Sequence, residues 1–316
     1  MNKEKLTIDQ NRLLINDHPV GHLGDRAILS TWLSKGTMDE IRSKLNCAID
    51  VQTKQKKTQP STTAIPGVKH TIAIASGKGG VGKSTLTIQL ARQLSQSGAR
   101  VGILDADIYG PSLNIFFPCT DVKLNGDKWQ PYECDNLQLM SLAYVVAQPD
   151  AMAWRGPMAG KALLQLALQT NWKQLDYLLI DLPPGTGDVT LTMAQKLAIH
   201  AVLLVTHEHS LSQADLIRAA SMFKKLNIPM LGYITNMSYI HCPHCKKSIK
   251  PFKQGNMTIT TNHLGQYPWS EKAQMGQIDH NFYNLADHIM IAYDKIDDAK
   301  SQRINIPIQT GGKNGN

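Results

Sequence analysis

No stretch of 18 consecutive apolar residues occurs in this 316-residue sequence, so none of it is expected to span a membrane. No apolar core follows Met1-Asn2-Lys3-Glu4-Lys5, so a secretory signal is not expected either. Cysteine is scarce: five residues, an odd number, cannot staple a chain this long. A reducing, cytoplasmic setting is the expectation, in which any cysteine cluster reads as metal-binding or redox-active. Aromatics make up only 6%, and 23 Gly and 15 Pro are near background, which excludes collagen-like and low-complexity chains. Charge is also modest, at 18% against 42% hydrophobic residues, so the chain is neither disordered nor short of core. Its length suits two domains, or one large α/β domain with an appendage. The net charge is +8, yet one absence localises it: between Leu216 and Ser270 there are seven cations and no carboxylate. Without interleaved aromatics that stripe reads as a solvated basic face and not as a nucleic-acid surface.

What is present divides the chain. Residues 1–53 carry short apolar runs, with a short helix expected over Met38–Leu45 and Thr37 as its cap. So few residues make a doubtful core of their own, and they are read as a shortened accessory segment. Residues 54–69 have linker composition. From residue 70 to 295, apolar runs alternate with helically spaced segments. Strands are expected at Thr71–Ala75, Arg100–Leu104, Leu137–Ser141, Tyr177–Ile180, Ala201–Val205 and Met230–Ile234. Helices are expected at Ser84–Gln96, Ala159–Gln169, Leu191–Ala198 and Gln213–Leu226. Strands that are apolar throughout, alternating with helices, predict an α/β domain with a mostly parallel twisted sheet and helices on both faces. Residues 296–316 read as a flexible C-terminal tail. Ligands of such sheets bind at the carboxyl ends of the strands, where the motifs fall.

After the first of these strands, Gly77-Lys78-Gly79-Gly80-Val81-Gly82-Lys83-Ser84-Thr85 fits G-x-x-x-x-G-K-[ST]. Glycines let the backbone turn its N–H groups toward phosphate oxygens, and the helix that follows points its positive end at the same anion. Lys83 would reach the β- and γ-phosphates and Ser84 would hold Mg²⁺; a Gly-rich turn without a ligand is the bland alternative. Asp105 and Asp107 leave the second strand, and Asp181 leaves the fourth in the Walker B arrangement, ahead of a switch-like Gly185-Thr-Gly187 loop. Turn-forming or capping carboxylates are the alternative there. Asn236 follows the strand at 230–234, and its amide has the groups to pair with an adenine edge or to form a turn. Cys242 and Cys245 form a C-x-x-C, weak on its own, which suits iron–sulfur, zinc or redox chemistry; His241 and His244 keep zinc open. Cys47, Cys119 and Cys134 are scattered and read as ordinary.

Together, Ile65–Lys69, Ser76–Thr85, Gly102–Ser112, Trp154–Met158, Leu175–Asp188 and Asn236–Cys245 resemble the Mrp/ApbC iron–sulfur cluster carriers. These are a branch of the deviant P-loop ATPases, in the MinD/ParA-like superfamily. The resemblance covers residues 65–245 and implies a P-loop NTPase fold and ATP hydrolysis, expected to be slow. Lys78, the second loop lysine, implies a homodimer in which it reaches the partner's phosphates. Asp107 would polarise the attacking water; Asp105 and Asp181 would join Ser84 around Mg²⁺. Residues Gly77 to Thr85 and Asn236 would bind the nucleotide. Cys242 and Cys245 of two subunits would bridge a labile [4Fe–4S] cluster bound for apo-proteins, with scaffold proteins as further partners.

The sequence departs from the family in its shortened N-terminal segment, in His207-Glu208-His209, and in the lysines around Phe252. The lysines beside Cys242 and Cys245 would offset cluster charge or attract acidic clients. Two rival readings are a spatial-organisation switch of the ParA/MinD type and a zinc-bridged nucleotide-binding adaptor.

Overall fold

A computed structural model describes residues 6–9, 11–24, 26–54, 56–119, 122–145, 156–242, 244–245, 247–251 and 261–296. The apolar run beginning near residue 70 forms the long strand β6 (Val68–Ser76), buried from His70 to Ser76. Beside it lie β7 (Val101–Asp105), β11 (Leu137–Ser141), β12 (Leu175–Asp181), β13 (Ala201–Thr206), β14 (Met230–Thr235) and β17 (His263–Gln266). With the antiparallel edge strand β10 (Tyr132–Cys134), they make an eight-stranded sheet ordered β10-β11-β7-β12-β6-β13-β14-β17. All other neighbours in this sheet are parallel. The phosphate-loop strand β6 is therefore central, between the strands that carry Asp181 and the 207–209 segment.

Helices cover both faces because the strand residues are apolar on both. On one face Ile180, Val202 and Leu204 meet Leu163 and Leu166 of the helix Gly156–Gln169 and Leu216 and Phe223 of Ser210–Lys225. Met193 of the helix Asp188–Lys196 joins them. On the other face Ile72, Ile103, Leu179 and Leu203 meet Leu86, Leu90 and Leu94 of the helix Lys83–Gln96 and Ile289 and Met290 of the helix Leu285–Asp294. The side chains of each strand thus alternate between two cores. Each of the four expected helices begins one to three residues ahead of its expected start, at Lys83, Gly156, Asp188 and Ser210. No helix among the described residues is long and apolar enough to cross a membrane.

The N-terminal residues are more ordered than their composition predicts. They form a second sheet, β1 to β5 (Leu6–Asp9, Arg12–Ile15, His18–Leu23, Ala27–Leu29 and Ile49–Val51), with the helix Lys35–Leu45 between the last two strands. Asn16 and Asp17 both take positive φ in the two-residue turn between β2 and β3, as a type I′ hairpin requires. Leu13, Ile15, Leu29, Leu33 and Ile41 form a small core that Ile291 of the helix Leu285–Asp294 joins from outside. The same helix supplies Asp287, which is 2% exposed. Its carboxylate accepts the Ser34 N–H at 2.6 Å, the Ser34 hydroxyl at 2.7 Å and the Thr37 hydroxyl at 2.7 Å. Ser34 and not Thr37 caps the helix, accepting the Thr37 N–H. The helix begins at Lys35 because this cap is held in place by Asp287. A core too small to stand alone is completed by docking.

Candidate functional site

The strand ends of β6, β7, β12 and β14 converge. Gly77 leaves β6 so close to the helix Ser210–Lys225 that a Cβ would lie 2.2 Å from the Asp215 backbone. Gly80 and Gly82 take φ of +78° and +77°, where an L side chain is strained. At Gly80 a Cβ would enter open space, while at Gly82 it would sit 2.3 Å from Asn236 Nδ2. The Ser76 hydroxyl donates to the Lys78 carbonyl at 3.0 Å, inside the turn. Gly79 and Gly80 are exposed, as is Lys78; Val81 and Thr85 are buried and Ser84 is half-buried at the start of the helix.

Lys83 is only 6% exposed, and its Nζ lies 2.5 Å from Asp181 Oδ1. Thr87, one turn along the helix, donates to the Lys83 carbonyl at 3.0 Å and reaches the same Asp181 oxygen at 3.4 Å. Sequence reasoning passed over Thr87, although its i+4 spacing from Lys83 puts it on the same helix face.

Asp105 stands next to Asp181 in the parallel register of β7 and β12. Its carboxylate accepts N–H groups from Asp107 at 3.0 Å and from Ser112 and Leu113 at 3.1 Å each. Burial, then the Asp181 charge, push the Asp105 carboxyl well above the usual carboxylate range, against the pull of those N–H groups and of Lys83. Asp105 thus folds the 107–113 loop from inside. Asp107 is half-buried, accepts the Gly110 N–H at 3.2 Å, and is raised by burial against the opposing Lys83 charge. Backbone bonds lash the loops together: Gly185 N–H to Ser76 O at 2.8 Å, Ala106 N–H to Asp181 O at 2.9 Å.

Asn236 is 1% exposed and its amide N–H donates to Val81 O at 3.0 Å, within the phosphate loop. Its Oδ1 is buried and accepts no hydrogen bond. A buried acceptor without a donor is costly, and a ligand amino group would satisfy it. The segment Tyr267–Trp269 runs alongside, with Ser238 N–H bonded to Tyr267 O at 3.0 Å and Trp269 N–H to Tyr239 O at 2.9 Å. No motif in the sequence announces that segment; only the pairing of β17 with β14 brings it here.

The chain leaves this pocket into a short hairpin of β15 (Ile240–His241) and β16 (Ser248–Ile249). Cys242 and Cys245 lie in its turn, half-buried and exposed respectively, and the Cys242 N–H donates to Lys247 O at 2.9 Å. The structure therefore brings the phosphate loop, Asp105, Asp107, Asp181 and Asn236 to one rim and sets the cysteines apart on a projection from it. Among the described residues no group of three or more His, Cys, Asp or Glu is placed to hold a metal ion. Trp154, Arg155, Lys246 and Phe252, singled out in the sequence, lie outside the described residues.

The family model for ParA, described as NUBPL iron-transfer P-loop NTPase, matches residues 67–300. The chain is similar to an iron–sulfur cluster carrier protein of Pseudomonas fragi, 44% identical over 222 residues, covering 69% of this chain and 76% of that protein. It is also similar to the iron–sulfur cluster transfer protein NUBPL of Dictyostelium discoideum, 40% identical over 217 residues, or 66% of each chain. The match spans less than two thirds of other such relatives, 56% for the carrier protein of Aquifex aeolicus. Among solved structures, a nucleotide-binding protein of Archaeoglobus fulgidus in complex with ADP aligns at 28% identity with a TM-score of 0.57, covering 71% of this chain and 88% of that one.

Proposed function

The chain belongs to the ParA family of NUBPL iron-transfer P-loop NTPases, and from that premise we propose that it is an ATP-dependent iron–sulfur cluster carrier. One observation carries this reading: strand β14 delivers Asn236 to the phosphate loop and then continues directly into the hairpin with Cys242 and Cys245. The base site and the thiolates thus share a single backbone connection.

The residues present suit ATP. The open cradle at Gly80 and the unsatisfied Asn236 Oδ1 offer backbone N–H groups to phosphates and an acceptor to the adenine amino group. Magnesium suits the same rim, since Ser84, Asp105 and Asp181 form an all-oxygen donor set with two adjacent buried carboxylates. When bound there, the ion would neutralise phosphate charge. Lys83 would exchange Asp181 for the β- and γ-phosphates. Asp107 orients a water whose oxygen attacks the γ-phosphorus as the bond to the β–γ bridging oxygen breaks, giving ADP and phosphate. Turnover is slow, as the family resemblance implies.

Lys78, exposed at the rim, reaches the phosphates held by a second copy, so ATP draws two copies together. Two thiolates per chain cannot complete a four-thiolate shell; Cys242 and Cys245 from each of two copies can. The [4Fe–4S] cargo so bridged is labile, and relaxation of the dimer after hydrolysis releases it to apo-proteins. Residues 70–295 act as the ATPase unit and residues 1–53 as an accessory unit, in a cytoplasmic protein.

The test is the iron and sulfide content of anaerobically prepared protein, with Cys242→Ala beside it. About four iron and four sulfide per dimer, lost in the variant, is the expected result. Zinc in their place, or no metal held through these cysteines, overturns the reading.

A further inference from the structure

The cysteine hairpin sits in the part of the chain that has no carboxylate from Leu216 to Ser270. Lys247 and Lys250 are exposed on it, and no acidic residue of the hairpin or its flanks offsets them. The register pairs Ile240 with Ile249 and His241 with Ser248. Side chains alternate along each strand, so Ile240, Ile249, Cys242 and Lys247 share one face. The other face carries His241 and Ser248, both exposed and polar. There Ser248 Oγ lies 3.4 Å from His241 Nδ1, and the Tyr239 ring meets His241 edge-on at 5.2 Å. The first face is open, with Ile240 38% and Ile249 54% exposed. A two-residue strand pair gains little from its own pairing, and two opposed isoleucines left in water add nothing to a core. Such a pair beside a cysteine and a lysine fits a contact with another molecule.

We propose that this face docks the cluster recipient through an acidic segment of it. Carboxylates of that segment pair with Lys247 and with Lys250 at the root of the hairpin, and an apolar side chain covers Ile240 and Ile249. The inference rests on the carrier reading above. The exposed Ile240–Ile249 pair, and not the charge, favours a protein over a nucleic acid here, since a phosphate backbone has nothing to bury against it. Residues 240–249 of the hairpin itself include no Phe, Tyr or Trp, whereas base stacking is what a single strand needs beside its cations. Transfer is then a ligand exchange without electron transfer: an iron–sulfur bond to Cys242 breaks as one to a recipient cysteine forms, and the proton lost by the incoming thiol is matched by one taken up by the departing thiolate.

Two synthetic four-cysteine acceptor peptides test this, identical except for a flanking run of glutamates or of lysines. Each is labelled for binding by fluorescence anisotropy and used as acceptor for cluster transfer from the full-length protein. The glutamate-flanked peptide is expected to bind and to accept cluster about tenfold faster at low ionic strength, with the preference collapsing as salt rises. In Lys247→Glu/Lys250→Glu the preference inverts, and in Lys247→Gln/Lys250→Gln it shrinks, while iron and sulfide content and ATP turnover stay at wild-type levels. Equal behaviour of the two peptides, or a wild-type preference in the charge-reversed variant, overturns the proposal. So does a labelled single-stranded oligonucleotide that binds more tightly than the acidic peptide and is released by the same substitutions. If the protein carries no iron through Cys242, the carrier reading fails on that result, and the anisotropy measurement still decides the docking surface.

Discussion

Asn236 allows binding and folding to be separated by one substitution. Its Nδ2 donates to Val81 O at 3.0 Å, while its Oδ1 is buried without a donor. Asn236→Ala removes a neutral hydrogen bond of about 1 kcal/mol and also an unsatisfied acceptor that costs about 1–3 kcal/mol. The two nearly cancel, so unfolding in denaturant should shift by no more than about 1 kcal/mol. ATP binding does not cancel, because Oδ1 gains its partner only in the complex. A side-chain pair to a base is worth about 1–3 kcal/mol, so the dissociation constant for ATP should rise about 5- to 150-fold. Inosine triphosphate, with a carbonyl where adenine has its amino group, supplies the control. Wild-type protein should discriminate against it by a similar factor, and Asn236→Ala should bind the two nucleotides almost equally. Calorimetric titration of both nucleotides into both proteins measures this. Unchanged ATP affinity in the variant, or undiminished discrimination, would refute the assignment of Oδ1 to the base.

Further outcomes follow from the same geometry. Lys83→Ala should abolish ATP turnover and, because it strands the buried Asp181 carboxylate beside Asp105, should lower the unfolding free energy by about 3–5 kcal/mol; melts without nucleotide check the second part. Asp287→Ala should cost about 2–4 kcal/mol, since it leaves the Ser34 N–H and two hydroxyls without their charged acceptor, and a double-mutant cycle with Ser34→Ala should show coupling above about 0.5 kcal/mol. His70 and His200, buried at the base of the sheet, are each lowered from 6.5 to about 4, chiefly by burial, with the neighbouring His200, Lys56 and Lys69 adding to it at His70. The unfolded chain then binds protons that the folded chain refuses, so stability is full above pH 6.5 and is lost as pH falls toward 4, by on the order of 3 kcal/mol per ring. A melting temperature that stays flat across that window in wild type, or falls as steeply in His70→Gln/His200→Asn, would refute it.

Local chemistry made part of this molecule legible from residue types alone. The phosphate loop reads out because glycine spacing, a lysine and a hydroxyl are dictated by phosphate geometry whatever surrounds them. The parallel sheet reads out because strands buried on both faces must be apolar throughout, as Leu178 to Ile180 and Ala201 to Val205 are. Asp105, Asp107, Asp181 and Asn236 follow from their place after such strands. Long-range pairing settled the rest. The N-terminal sheet was hidden because its strands are short and its core is closed by Ile291, some 240 residues later in the chain. Its helix starts at Lys35 because Asp287 holds the Ser34 cap, a partner that no local pattern reveals. Only the folded structure shows Lys83 paired with Asp181, Asp105 tying down its own loop, and the Tyr267–Trp269 segment beside Asn236. The hairpin faces belong to the same class: C-x-x-C is visible in any sequence, but the sharing of one face by Cys242, Lys247, Ile240 and Ile249 depends on register, and register is set by pairing across space.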